Sequence, residues 1–335
     1  MPFADSLLTW YQQHRRHLPW REDPTPYHVY LSETMLQQTR VDTVIPYFNA
    51  FTERLPDFAS LAFADEETVM SLWQGLGYYS RARNLIAAAK LVADQYHGVL
   101  PKDPAALLSL PGVGEYMSNA IMAIAFDEPF VAVDGNLLRV YSRLEAKAID
   151  LAKASAKKDC ASYFGSRMES PSSFNQALMD LGELICLPHG VPKCMECPLR
   201  QWCKAFAEGS PEKYPPKKKK ASVKQEDLSV VLAFDALGNI AIRKRPDTGL
   251  LASLYEFPNV PGHINVCELA SLFPGLKDIQ YLGEEKHRFS HILWNMKIYV
   301  ATGSVEGCLS VPIQEIGKKY SLPTAFSKLL KKPAK

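Results

Sequence analysis

Leu110-Pro111-Gly112-Val113-Gly114 joins two stretches of helical periodicity, and the fold reading turns on it. Upstream, Asp103 stands where an N-cap belongs, so a helix is expected to begin near it. Downstream, Glu115 to Phe126 is apolar at helical spacing. An ordinary helix–turn–helix corner needs one glycine. Two glycines let the backbone approach a partner closely, and the second helix directs its first free N–H groups the same way. A hairpin built on Leu110, Gly112 and Gly114 can therefore bind a DNA phosphate through main-chain donors.

The flanking chain divides by composition. Residues 1–207 read as mostly helical, with Pro/Gly punctuation between segments. Residues 208–226 collect breakers (Gly209-Ser210-Pro211, Pro215-Pro216) and the run Lys217 to Lys220, which resists packing and reads as a linker. In residues 227–335 the period changes to alternation. Leu228 to Phe234 and Asn239 to Arg245 flank Ala236-Leu237-Gly238 as a hairpin, and Ile292, Trp294, Met296, Ile298 and Val300 mark a strand with one buried face. Short helices are expected over Cys267 to Phe273 and Pro323 to Leu330. The fold class is multi-domain: a mostly α core followed by an α+β domain.

Composition narrows the function classes. With 335 residues and 47% hydrophobic content the chain can bury a large core, and 22% charged with 10% aromatic residues excludes wholesale disorder. Apolar runs such as Ala120 to Phe126 fall short of the roughly 20 residues of a membrane span. The N-terminus enters an amphipathic pattern (Leu7, Leu8, Trp10, Tyr11) without the marks of a signal peptide, so an intracellular, non-secreted protein is expected. A net charge of +2 demands no nucleic-acid partner, so any basic surface must be local.

Of seven cysteines, Cys186, Cys194, Cys197 and Cys203 cluster while Cys160, Cys267 and Cys308 are scattered. The Cys194-x-x-Cys197 pair, flanked by Pro192 and Pro198, lets one loop wrap a metal centre. Spacing alone leaves open a structural zinc or a cubic iron–sulfur cluster. Two carboxylates also stand out. Glu33 lies in a helix expected over Val29 to Arg40, sharing its face with Leu36 and Gln37. Among Leu31, Met35 and Leu36 it would be partly desolvated, which raises its pKa and lets it donate a proton; the plainer alternative is a half-exposed salt bridge. Asp134 ends the apolar stretch Phe130-Val131-Ala132-Val133 and precedes a helix through Leu144, where an N-cap alone would explain it.

Together the hairpin, Val133-Asp134-Gly135-Asn136 and the four-cysteine cluster resemble the helix–hairpin–helix DNA glycosylase superfamily. Within it, three segments resemble the adenine DNA glycosylase family of MutY type: Leu18-Pro19-Trp20-Arg21, Leu31-Ser32-Glu33 through Met35-Leu36-Gln37-Gln38-Thr39, and Gly75-Leu76-Gly77-Tyr78-Tyr79. Leu254-Tyr255-Glu256-Phe257-Pro258-Asn259 and Phe289-Ser290-His291 extend the match into a C-terminal domain similar to the Nudix fold. The resemblance implies removal of adenine mispaired with 8-oxoguanine, or less well guanine, in double-stranded DNA after base flipping. It implies Glu33 as proton donor to adenine, Asp134 as stabiliser of the sugar cation, and Tyr116 and Asn136 as their supports. Arg16, Trp20, Arg21, Leu36 and Asp180 match the adenine pocket or its surroundings, though Asp180 could equally be a solvated helix residue. Gln38, Thr39, Leu76 and Tyr78 match residues inserted around the lesion, against core packing for Leu76 and Tyr78. Phe289, Ser290 and His291 would read 8-oxoguanine. Cys186, Cys194, Cys197 and Cys203 would hold one [4Fe–4S] cluster, with zinc as the alternative.

The departures bear on these implications. Seven residues, Leu187 to Lys193, separate the first two cluster cysteines, one more than is usual in the family; a bulge containing Gly190 could absorb it. The endonuclease III type of the same superfamily carries a lysine two residues after the hairpin's last glycine, for Schiff-base chemistry. Tyr116 occupies that place and cannot form an imine, so a monofunctional glycosylase with weak or no lyase activity follows. A Nudix hydrolase needs a dense acidic cluster for magnesium, whereas Glu256, Glu268 and Asp278 are dispersed. The alternatives are an endonuclease III-like glycosylase/lyase and a non-catalytic iron–sulfur DNA-binding protein. A monomer is expected, in the cytoplasm or nucleoid of a bacterium or the nucleus of a eukaryote.

Overall fold

Asp103 caps the helix Pro104–Ser109 by accepting a hydrogen bond from the Ala106 amide at 2.7 Å. The chain then turns through Gly112, whose φ of +80° favours glycine, into the helix Glu115–Ile124. The expected helix–hairpin–helix is thus present, its second helix ending at Ile124 rather than Phe126. In this computed structural model, residues 2–216, 223–289, 291–317 and 319–331 are described. Ser290 and Lys217 to Lys220 lie outside them.

The chain forms two compact units, Met1–Ala64 with Arg83–Lys219 and Asp65–Ala82 with Lys220–Lys335. The sequence reading had put Asp65–Ala82 within the helical region. In the second unit, Gln74 Nε2 stands 3.1 Å from where a Cβ on Gly317 would lie, so this segment packs against C-terminal residues.

In the first unit, Phe3–His14 buries Phe3, Leu7, Trp10 and Tyr11, the stripe that its periodicity marks. These side chains share a core with Leu137, Leu138, Val140 and Tyr141 of the helix Gly135–Leu144 and with Phe174, Ala177, Leu178 and Leu181 of the helix Pro171–Leu184. Each fully buried Leu or Phe there is worth about 1.5–3 kcal/mol. The helix carrying Glu33 runs over Pro26–Leu36, earlier than the expected Val29 to Arg40. Thr25 caps it and Pro26 pre-sets its first turn. It stops because Gln37 leaves the helical region and Gln38 adopts a left-handed φ of +59°, so Gln37 lies beyond Glu33's helical face.

Among the described residues the C-terminal unit holds a seven-stranded mixed sheet: β1 (Lys224–Phe234), β2 (Ile240–Lys244), β3 (Tyr255–Glu256), β4 (Asn259–Pro261), β5 (Leu276–Arg288), β6 (Ile292–Gly303) and β7 (Leu309–Val311). The main order is β3-β2-β1-β6-β5, with β4 paired to β1 and β7 to β2. β1 and β6 pair in parallel, Leu228 opposite Met296 and Val230 opposite Ile298; the expected β1–β2 hairpin closes with Phe234 opposite Ile240. Alternation sends Leu228, Val230, Trp294, Met296 and Ile298 to one core and Val231, Ala233, Tyr299 and Ala301 to another on the opposite face. The first core is closed by Thr324–Ser327 and the 3-10 turn that follows, shorter than the single helix expected over Pro323 to Leu330.

Candidate active site

Glu33, Tyr116, Asp134 and Asn136 come from three helices and a helix start, yet line one cleft of about 380 Å³. Leu18, Trp20, Arg16, Arg21, Leu36, Gln38 and Thr39 line it as well. The helix Pro26–Leu36 brings Glu33 in among buried Leu31 and Met35, leaving it 8% exposed. Tyr116 donates a hydrogen bond from its hydroxyl to Glu33 Oε2 at 2.8 Å. Burial pushes Glu33 up to about 7; the Tyr116 bond pulls down, Asp134 pushes up and Arg21 pulls down, none enough to cancel burial. Burial also raises the Tyr116 phenol well above its ordinary value, so it stays a donor.

Asp134 does two jobs. Its Oδ1 accepts from the Leu137 amide at 2.7 Å, capping Gly135–Leu144, and its Oδ2 accepts from Asn136 Nδ2 at 2.9 Å. The capping alternative is realised, and it leaves the carboxylate at the cleft wall. Burial raises its pKa, opposed by those hydrogen bonds and by Arg139. Arg139 was absent from the sequence reading. It is buried, donating to Asn136 Oδ1 at 2.8 Å, to the Gly182 carbonyl at 2.7 Å and to the Cys186 carbonyl at 2.8 Å. Asn136, Arg139 and Arg143 fall three and four residues apart, so one helix face carries all three. Gln176 and Met179, also missed, line the same cleft.

Asp180 is fully buried, not solvated. Its Oδ1 accepts from Arg16 Nε at 2.7 Å and its Oδ2 from Arg21 Nη1 at 2.7 Å. A carboxylate buried without partners would be costly; here two arginines hold it, and the clamp fixes the segment bearing Trp20, whose ring meets Phe48 edge-on. Both arginines reach the cleft while Asp180 stands behind them.

Gln38 is exposed at the cleft with a left-handed backbone. Leu110 is buried, Gly112 and Gly114 are exposed, and Gly114 begins Glu115–Ile124 with no side-chain cap, leaving its first amides for a ligand. In the second unit, Tyr78 is 44% exposed but Leu76 only 5%, so Leu76 packs inward. Phe289 meets His287 at 4.6 Å and Trp294 at 4.9 Å between ring centres, and the exposed His291 accepts through its carbonyl from the Lys224 amide. Glu256 is buried between Arg243 and Arg245, Glu268 caps its own helix, and Asp278 accepts from Thr302.

Cys186, Cys194, Cys197 and Cys203 line a second cavity, about 30 Å³, with Arg143 and Leu181. Arg143 Nη1 donates to Cys186 Sγ at 3.1 Å. Burial pushes Cys197 up to about 12, so only a bound cation would keep this thiol ionised at neutral pH. The long first spacing closes on itself: the Lys193 amide bonds the Ile185 carbonyl at 2.9 Å, Gly190 takes φ +76°, and Val191 projects outward, 86% exposed. With this turn at Gly190, Cys194 lines the cavity beside the other three cysteines. The donor set fits a metal centre.

A family profile described as HhH-GPD superfamily base excision DNA repair protein matches residues 31–162, and a NUDIX domain profile matches residues 229–332. The chain is 34% identical to a mouse adenine DNA glycosylase, covering 89% of this chain and 70% of that one. It is 33% identical to the adenine DNA glycosylase of Buchnera aphidicola (strain Bp), covering 87% and 83%. A solved thermostable thymine-DNA glycosylase superposes with a TM-score of 0.56 at 27% identity, covering 62% of this chain and 95% of that one. An endonuclease III–DNA complex, 21% identical with a TM-score of 0.52 over 61% and 94% of the two chains, shares the fold. Beside the buried carboxyl of Glu33 and the capping carboxylate of Asp134, these matches place the chain among the adenine DNA glycosylases of the helix–hairpin–helix superfamily.

Proposed function

We propose that this DNA N-glycosylase removes adenine opposite 8-oxoguanine, and less efficiently opposite guanine, and that it leaves the strand uncut. The observation that carries the reading is Glu33, held near pKa 7 by burial at the same cleft as the partly exposed Asp134. The duplex is gripped at the hairpin, and the adenine is flipped between Trp20, Leu36 and the Arg16–Arg21 side of the cleft, because its glycosidic bond is inaccessible in the stack. Protonated Glu33 gives its proton to an adenine ring nitrogen. The C1′–N bond then breaks with its electron pair going to the base. Asp134 stabilises the sugar cation and can bond C1′, as paired carboxylates do in glycoside hydrolysis. Water takes C1′ and gives its proton to the Glu33 carboxylate, restoring the acid. Tyr116 at the place of a Schiff-base lysine supports monofunctional chemistry.

The thiolates of Cys186, Cys194, Cys197 and Cys203 would hold one [4Fe–4S] cluster. Bound there, it supplies a covalent tie across the loop and no part of the base-excision chemistry. A structural zinc on the same four thiolates is the alternative, and metal analysis of the purified protein with its visible absorption spectrum separates the two. Phe289 and His291 suit lesion reading, with Ser290 between them in sequence. Residues 1–207 as catalytic region, 208–226 as linker and 227–335 as recognition domain complete the reading, in a monomer located with the DNA in nucleoid or nucleus.

The test is a duplex with adenine opposite 8-oxoguanine, incubated with the protein and divided before electrophoresis, one half treated with hot alkali. Breaks mainly after alkali are expected. Glu33→Gln and Asp134→Asn should still bind the duplex and excise at least about a hundredfold more slowly. Breaks without alkali would mean a lyase, and variants as fast as the parent would refute the assigned chemistry.

A further inference from the structure

The segment Trp73–Tyr79 carries two glycines with positive φ, Gly75 at +96° and Gly77 at +74°, and such a segment is flexible unless something holds it. Tyr78 itself adopts φ +48°, a region that L side chains rarely occupy. Arg81, in the first turn of the helix Ser80–Tyr96, lies directly beneath. Its Nη2 donates to the Leu76 carbonyl at 3.2 Å and the Gly77 carbonyl at 3.1 Å. Its guanidinium stands 5.3 Å from the Trp73 ring centre and 5.3 Å from that of Tyr78. Trp73 Nε1 donates to the same Gly77 carbonyl at 3.0 Å. Arg81 is 6% exposed, whereas Tyr78 keeps 44% of its surface open.

We propose that Arg81 is a positioning residue for mispair recognition, holding Gly75–Tyr79 in the backbone conformation that presents Tyr78 to the duplex. This rests on the reading that Tyr78 meets DNA. One nitrogen of the guanidinium bonds both carbonyls while the group as a whole lies against two aromatic rings; a lysine ammonium could bond the carbonyls but lacks the plane that lies against the rings, so lysine is a poor substitute.

The test is a double-mutant cycle on the full chain with Arg81→Lys, Tyr78→Leu and both, read as affinity for an adenine:8-oxoguanine duplex against a matched duplex. Arg81→Lys should lose about tenfold of that preference, with a far smaller loss of single-turnover rate at saturating enzyme, and about twofold or less when Tyr78 is already leucine. Equal losses in both backgrounds would overturn the proposal. So would an unchanged preference in Arg81→Lys beside a weakened Tyr78→Leu. If Arg81→Lys does not fold, Arg81→Gln is measured instead, and failure of both would mean a purely structural role. Full preference in Tyr78→Leu would sink the duplex-contact reading itself, and this proposal with it.

Discussion

At the scale of single residues, the proposed acid Glu33 carries its chemistry at a cost in stability. Its pKa is raised from 4.5 to about 7, so folding favours its protonated form. Stability from that preference is complete below the unfolded pKa and is lost as pH climbs through the folded one, roughly 3 kcal/mol in all. Glu33→Gln keeps an acceptor for the Tyr116 hydroxyl and cannot ionise. It should therefore melt higher than the parent at pH 8, the gap closing toward pH 4, while excision is lost. Equal melting temperatures at pH 8 would contradict the buried-acid reading. The excision rate should fall on the alkaline side near pH 7, as Glu33 loses its proton, and on the acid side as Asp134 gains one. The sequence showed both carboxylates but not what surrounds them. Arg139 gave no signal, and Asp180 could equally have been a solvated helix residue, because Gly182 and Cys186 for the one and Arg16 and Arg21 for the other lie far away along the chain.

Among elements, local signals were legible and the positions of helix ends were not. Asp103 caps where its residue type says it should, and β6 follows its alternation. The helix bearing Glu33 stops early because Gln38 turns left-handed, which no preference of glutamine announces. Gly182 is a second case, unremarkable in sequence, although the approach of two helices depends on it. A Cβ there would stand 2.6 Å from the Asn136 Cβ, so Gly135–Leu144 and Pro171–Leu184 approach this closely only over a glycine. Gly182→Ala should cost about 1–3 kcal/mol by overpacking and displace Asn136 from Asp134 and Arg139. A shift of that kind should slow excision by roughly 10–100-fold. Adding Asn136→Gly, which removes that Cβ, should recover much of the melting temperature, less about 1 kcal/mol for glycine in a helix, but not the rate. Recovery of both would mean that Asn136 does not support Asp134.

For the whole molecule, the sequence-level split at the linker and the observed division disagree about Asp65–Ala82. A segment can be helical in pattern and still take its packing partners from the far end of the chain, since periodicity reports which face is apolar and not what covers it. Gln74 against Gly317 is such a partner. Ending the chain after Pro216 would therefore do more than delete the proposed lesion reader: it would strip Asp65–Ala82 of the rest of its unit. The shortened protein should melt lower, by roughly 2–4 °C for each kcal/mol of packing lost. Its preference for adenine:8-oxoguanine over matched duplex should fall further than Phe289→Ala with His291→Ala brings it in the full chain, because the segment that carries Tyr78 and Arg81 loses its packing partners as well. If truncation and the double substitution give the same preference and the same melting temperature, Asp65–Ala82 is held by the helical residues alone and the division at the linker is the correct one.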